Sequence, residues 1–341
     1  MPGDLVSPAL RAPPEVLAEI FAHFISLGNG KFPRIHGSQT PLLLSVVCSY
    51  WRAVTLSTPR LWSTLHIFAG TKSPLHKSDR HWPHLLSLWL QRSANAPLAF
   101  KFETNRLDAQ ASALLDYLLA HRTRWEHACF SAPPGAFAAG GPLPLLKTLV
   151  LDPAPVYRGE IETFHIVDEG AAPQLTHVVL GERVTIESLG GVPWAQLTHL
   201  HGACVYPHEL WNIFRLAPNL VSCSAAVVEF DGDEEPTSIT MPHLRNLTLK
   251  TYPYAEEEWF KTILHLTLTL PVLQVLCIAY YPFEIMPTDL ERLRHFLELS
   301  QCPITKLQLP SSDYLHRAAK YALPAFADAI TFGPLEEWYE I

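Results

Sequence analysis

The chain has 341 residues, of which 48% are apolar, and its 25 basic and 33 acidic side chains leave a net charge of −8. That apolar content supports a large core and excludes general disorder, and the length allows two domains. The acidic balance disfavours a general binder of nucleic acid or of anionic membranes.

Six scattered cysteines (Cys48, Cys129, Cys204, Cys223, Cys277, Cys302) form no Cys-x-x-Cys pair. Reduced core thiols are therefore expected. There is no basic stretch followed by a short apolar stretch, and no apolar run of the roughly eighteen residues a membrane helix needs. The expectation is no secretion signal, no membrane span, and a cytoplasmic or nuclear setting. The sequon Asn246-Leu247-Thr248 falls inside a predicted strand and is read as chance.

The first elements are helical. Pro13 and Pro14 suit a helix start, where a missing N–H is harmless. Glu15 suits the positive end of the helix dipole. Val16, Leu17, Ile20, Phe21 and Phe24 make one wide apolar stripe. Gly28-Asn29-Gly30 ends the helix. Thr40 and Pro41 open a second helix that carries Leu42, Leu43, Leu44, Val46 and Val47 and runs to Tyr50-Trp51-Arg52. Its apolar run is too continuous for one covered face. Thr58 and Pro59 start a short third element with Leu61 and Trp62. A helical unit of this size has little spare stability. Its excess apolar surface is covered by the rest of the chain or by a partner, and periodicity does not choose between them.

In this order, the motifs between residues 12 and 67 resemble the F-box of the type abundant in mushroom-forming fungi, and we set that domain at 10–67. The resemblance implies docking to the Skp-type adaptor of a cullin–RING (SCF-type) ubiquitin ligase, and through it to a cullin. The matching positions are Pro13, Glu15, Val16, Leu17, Ile20 and Phe21 in the first helix, with Leu44, Val47, Cys48 and Trp51 in the second. The implied docking face centres on Leu17, Ile20, Phe21 and Trp51.

Residues 68–81 read as a polar linker, and 68–123 as linker and connecting helices. A helix from 84 ends near Ser93, and Pro97 begins an extended run. The segment Trp89-Leu90-Gln91-Arg92-Ser93 followed by Pro97-Leu98 carries the same family resemblance to about residue 103. A second helix spans 107–121 with Leu114, Leu115, Leu118 and Leu119, and 125–130 reads as a strand.

A short pattern then recurs: proline, any residue, apolar, two residues, apolar, any residue, apolar. It occurs at 144–151, 173–180, 218–225, 242–249 and 271–278, with looser copies at 194–202 and 302–309. The anchors Leu146, Leu175, Leu197, Leu220, Leu244, Leu273 and Ile304 are separated by 29, 22, 23, 24, 29 and 31 residues. That is leucine-rich-repeat spacing. Each unit supplies one strand and returns as a helix or loop, and neighbours must stack to bury it. The stretches 207–216, 253–266 and 288–299 read as return helices. The asparagine ladder and strict spacing of regular repeats are absent. The expected fold class is therefore α/β, with an N-terminal helical F-box followed by an irregular leucine-rich-repeat-like solenoid over 124–341. The competing reading is a mixed α/β domain whose strands merely share a proline-led start. Pro334 to Trp338 reads as the start of one more strand.

By two-residue alternation, one face of these strands carries Thr148 and Val150, His177 and Val179, His199 and His201, Ser222 and Ser224, Asn246 and Thr248, Val275 and Cys277, and Lys306 and Gln308. The candidate target-binding residues on this expected concave face are His177, His199, His201, Ser222, Asn246, Thr248 and Lys306. Paired strands would place His177 and His199 about 5 Å apart. With His201 they read either as a pH-sensitive or anion-binding patch or as three polar residues on an exposed sheet. No carboxylate or cysteine shares their layer, so no metal site is expected.

No nucleophile elbow, zinc-protease helix, phosphate loop or dinucleotide fingerprint occurs. His81 and His84 flank a proline at a helix start. The run Asp231-Gly232-Asp233-Glu234-Glu235 lacks calcium-loop spacing and reads as a solvated acidic loop. No catalytic residue and no cofactor are assigned. The expected function is the substrate receptor of a ubiquitin ligase, with the target unknown. The alternative is a protein-interaction scaffold whose helices only cap the solenoid, supported by Ala12, where the family has leucine, and by the long 27–40 connection. A hydrolase of unknown type is the third and weakest option.

Overall fold

The computed structural model describes residues 12–26, 32–35, 39–69, 82–133, 140–152, 167–181, 184, 191–227, 238–251, 268–279 and 285–333. It is a mixed α/β structure with a large parallel sheet. The chain divides into two compact units: Met1–Leu149 with Pro153–Gln174, and Val150–Asp152 with Leu175–Ile341.

The first unit opens with α1 (Pro14–Ser26), α2 (Pro41–Val47) and α3 (Ser49–Leu56). The expected second helix is thus two helices. Cys48 is extended between them (φ −156, ψ 171), and its sulfur accepts the Trp51 N–H at 3.4 Å. A thiol here does the work of a Ser or Thr cap, which the apolar run does not announce. Arg52 Nε donates to the Ser45 carbonyl across the break at 2.7 Å, and Tyr50 Oη donates to the Ala12 carbonyl at 2.7 Å. Thr40 and Thr58 do stand at cap positions, but neither hydroxyl caps. Thr58 Oγ1 instead donates back to the Val54 carbonyl at 2.7 Å. A 3-10 turn, Pro59–Trp62, follows and buries Leu61 and Trp62.

The sheet starts earlier than the sequence suggests. β1 (Thr64–Phe68) lies just after the helices and pairs in parallel with β2 (Leu98–Glu103), which pairs in parallel with β3 (Trp125–Ser131). Between them run α4 (Trp82–Arg92) and α5 (Ala109–Leu119). Asp108 caps α5 by accepting the N–H groups of Gln110 and Ala111. Alternate strand residues, among them Leu65, Phe100, Phe102 and Phe130, are buried with Trp62, Trp89 and Trp125. Their rings meet edge-on, Trp62 with Trp89 at 5.0 Å and Phe100 with Trp125 at 4.9 Å, the arrangement that ring quadrupoles favour. The strand β4 (Thr148–Asp152) is shared between the units.

The second unit contains β5 (His177–Leu180), β6 (His199–Val205), α6 (Pro207–Leu216), β7 (Ser222–Val227), β8 (Ile239–Thr240), β9 (Asn246–Thr251), β10 (Leu268–Thr269), β11 (Val275–Ala279), α7 (Pro287–Ser300), β12 (Lys306–Leu309), α8 (Asp313–Ala322) and β13 (Ile330–Phe332). Its main sheet is parallel and runs β5-β6-β7-β9-β11-β12-β13, so its order follows the chain. β8 and β10 form a separate parallel pair. Every copy of the proline-led pattern ends in a strand. The anchors Leu146, Leu175, Leu197, Leu220, Leu244 and Leu273 are fully buried. Ile304 is only half-buried, and that copy buries Cys302, Leu307 and Leu309 instead.

One backbone contact sets the register. The carbonyl just before a strand accepts two N–H groups from the start of the next strand. Thr176 receives Thr198 and His199, Thr198 receives Val221 and Ser222, and Val221 receives Arg245 and Asn246. Arg245 then receives Gln274 and Val275, and Gln274 receives Thr305 and Lys306. Such pairing satisfies two backbone donors at the turn into each of these five strands.

The helices expected at 207–216 and 288–299 are α6 and α7. The helix expected at 253–266, the linker from 70 onward, the acidic run 231–235 and the strand expected from Pro334 lie outside the described residues. α8, capped by Ser312 accepting the Leu315 N–H, and β13 were not anticipated. Among the described residues, no helix is long and apolar enough to cross a membrane.

Candidate interaction surfaces

The helical positions implied by the F-box resemblance separate into two sets. Pro13, Glu15, Val16, Ile20 and Val47 are exposed, Cys48 and Trp51 are half-buried, and Leu17, Phe21 and Leu44 are core. Phe21 packs on Trp51 with ring centroids 4.9 Å apart. Of the four residues on which the implied face centres, Leu17 and Phe21 are therefore core, Trp51 is half-buried and Ile20 is exposed. The apolar stripe of α1 is two stripes, with Leu17, Phe21 and Ile25 facing inward and Val16 and Ile20, four residues apart, facing outward.

The outward set extends to residues that the resemblance did not mark. Leu43, Val46 and Leu56 are exposed as well, with Val46 keeping 65% of its surface. The signal was present in the run 42–47, since a single short helix cannot bury every face of it. An exposed ion pair between Arg60 and Glu19, at 2.6 Å, joins the 3-10 turn to α1.

In the second unit the strand residues fall into two registered rows. One row is His177, His199, Ser222, Asn246, Val275 and Lys306. The next row contains Val179 and His201 on β5 and β6, then Ser224, Thr248, Cys277 and Gln308. The pairing of β6 with β7 shifts between Leu200 and Ala203, where Gly202 takes the left-handed φ of 76°. That bulge separates His201 from the second row's regular register. Ser222 and Thr248 keep only 9% and 7% of their surface. They shape the face rather than offer contacts. Lys306 stands four strands from His199 in the same row, about 19 Å at ordinary strand spacing. The structure thus brings the histidines together and leaves Lys306 apart.

The rings of His177 and His199 stack with centroids 4.1 Å apart and planes 8° apart, and His201 is 6.1 Å from His199. The residue before each of the first two orients it. Thr176 Oγ1 meets His177 Nδ1 at 2.8 Å, and Thr198 Oγ1 meets His199 Nδ1 at 2.9 Å. Thr198 Oγ1 also lies 3.2 Å from the Thr176 carbonyl, which can only accept. With its one proton spent there, Thr198 receives the Nδ1–H of His199, and the lone pair of His199 lies on Nε2. Burial first, and then the neighbouring imidazole, hold His199 below the usual histidine range. The same causes bring His201 down to about 4. His201 Nδ1 is buried without a hydrogen-bond partner. The repeated Leu-Thr-His at 175–177 and 197–199 was the sequence signal for the oriented pair.

A polar group on the first unit's sheet was not anticipated. His66 Nε2 lies 3.0 Å from Glu103, and Lys101 Nζ lies 3.4 Å from it. The His66 hydrogen bond is the main cause that lowers the Glu103 carboxyl. Among the described residues, no group of three His, Cys, Asp or Glu side chains is placed to hold a metal ion. No family model matches the chain, and no curated protein matches it.

Proposed function

We propose that the chain is the substrate receptor of a cullin–RING ubiquitin ligase, docking a Skp-type adaptor through its N-terminal helices and holding a target protein on its second unit. The observation that carries this reading is the exposed apolar set on α1, α2 and α3: Val16, Ile20, Leu43, Val46, Val47 and Leu56. A small helical unit that leaves so many large apolar side chains in water fits a surface made to be covered. The second unit is read as an irregular leucine-rich-repeat-like solenoid, supported by its chain-ordered parallel strands and its repeated two-donor carbonyls. The chain would do no chemistry. It would raise the effective concentration of target lysines near the ligase.

The test is co-expression with a Skp-type adaptor followed by size-exclusion chromatography. A stable one-to-one complex is expected, and it should be lost on Ile20→Glu with Val47→Glu. These two positions are exposed, so the variant keeps the Phe21–Trp51 core intact. Capture retained by the variant would sink the assigned face.

A scaffold whose helices only cap the remainder is the second reading. It is favoured by Trp62, which follows α3 directly and packs edge-on against Trp89 of α4, joining the helices to the core of the first unit's sheet. Two separate chromatographic peaks, with the chain folded and monodisperse, would select it.

A further inference from the structure

Small side chains line one face of β7, between longer ones on both neighbouring strands. That face carries Ser222, Ser224 and Ala226. On one side β6 sets His199 beside Ser222 and Cys204 beside Ala226. On the other, β9 sets Asn246, Thr248 and Lys250 beside the three in turn. His199 and Asn246 are half-buried, whereas Ser224 keeps only 6% of its surface. The result is a furrow along β7.

The furrow holds hydrogen-bonding groups that the fold does not use. Ser224 Oγ, on a side chain more than nine-tenths buried, and the Asn246 amide have no hydrogen-bond partner among the described residues. Buried polar groups are nearly always paired, so an unpaired hydroxyl facing a furrow marks a place for an incoming polar group. At His199 the Nδ1–H is spent on Thr198, which leaves the Nε2 lone pair as an acceptor. Burial, and then the neighbouring imidazole, hold that ring below the usual histidine range, so it is neutral at pH 8. The set is thus uncharged: an acceptor at His199, and a donor and an acceptor at both Ser224 and Asn246.

We propose that the β7 furrow takes an extended segment of a target protein and reads asparagine or glutamine side chains at alternate positions. A carboxamide meets every demand of the set. Its N–H donates to His199 Nε2, and its oxygen accepts from Ser224 Oγ or Asn246 Nδ2. A carboxylate has no proton to donate and meets a lone pair instead, in a chain of net charge −8. The period fits as well. Residues on one face of a strand recur every about 6.6 Å, and so do alternate side chains of an extended peptide laid along it. Side chains two apart then meet the rung of Ser222 and the rung of Ser224 in succession. This rests on the second unit as the target-binding part. Adaptor capture by the helices is measured separately, so either reading can fail alone.

The experiment is fluorescence anisotropy of the full chain at pH 8.0 with a fluorescein-labelled peptide carrying Gln-Ala-Gln-Ala between glycines. Three peptides are compared with it: Glu-Ala-Glu-Ala, Leu-Ala-Leu-Ala, and Gln-Gln-Ala-Ala, which points its two amides to opposite faces. The alternating glutamine peptide should bind about tenfold more tightly than the glutamate and leucine peptides, and more tightly than the adjacent glutamine peptide. Asn246→Ala and Ser224→Ala should each weaken it about tenfold while leaving adaptor capture in place. If Ser224→Ala does not fold, judged by circular dichroism, the half-buried Asn246 decides alone. Absent binding of the alternating glutamine peptide, equal binding of any of the other three, or unchanged affinity in the folded variants would each overturn the proposal.

Discussion

Phe21→Ala and Ile20→Ala, adjacent in sequence, should have opposite consequences. Phe21 keeps 1% of its surface and packs on Trp51 at 4.9 Å. Truncating a buried phenylalanine costs about 3–5 kcal/mol, from lost burial and the cavity left behind. Ile20 keeps 53% of its surface. Its truncation should stay within about 0.5 kcal/mol. Followed by circular dichroism in urea, Phe21→Ala should lower the midpoint of the transition reporting the first unit by roughly 1–3 M at ordinary slopes. Ile20→Ala should leave it in place. Under the proposed adaptor docking, the ranking in a capture assay should reverse for any protein still folded, because Ile20 lies on the outward face. Equal destabilisation by the two variants would refute the division of α1 into an inner and an outer stripe, and with it the proposed docking face.

Two further outcomes follow from the second unit. His201 is held at about 4 against an ordinary 6.5, so the unfolded chain takes up its proton first as pH falls. The stability this neutral imidazole contributes is complete above pH 6.5 and is lost progressively down to about pH 4, on the order of 3 kcal/mol in total, with His199 acting in the same direction. Denaturation midpoints across that window should fall more gently for His201→Gln than for the natural chain, and equal slopes would contradict the assignment. Gly202→Ala places a Cβ at φ 76° in the β6 bulge and should cost about 1–2 kcal/mol in thermal or urea unfolding. A neutral result would mean the bulge is not held in the left-handed conformation.

What could be read from the chain was whatever a few neighbouring residues decide together. The proline-led pattern places apolar side chains at alternate positions, so each copy specifies a strand locally, and β5, β6, β7, β9, β11 and β12 all follow it. The equivalence of His177 and His199 was legible for the same reason, since copies of one motif fall in register when their strands pair. β1 escaped notice because Thr64–Phe68 is short and becomes a strand by pairing with β2 more than thirty residues later. α8 escaped because its helical form rests on a cap at Ser312 and on burial of little more than Leu315 and Ala319.

Sequence by itself determined the recurring strand, the return helices α6 and α7 and the apolar excess of the N-terminal helices. It did not determine which of two adjacent stripes on α1 turns inward, that Cys48 divides one apolar run into α2 and α3, or that Lys306 stands far from the histidines. Nor did it determine that His201 is half-buried, with a buried and unpartnered Nδ1, beside a glycine bulge. Periodicity records which side chains share a face. Whether that face is covered depends on contacts between segments distant in the chain, and only the tertiary structure decides those.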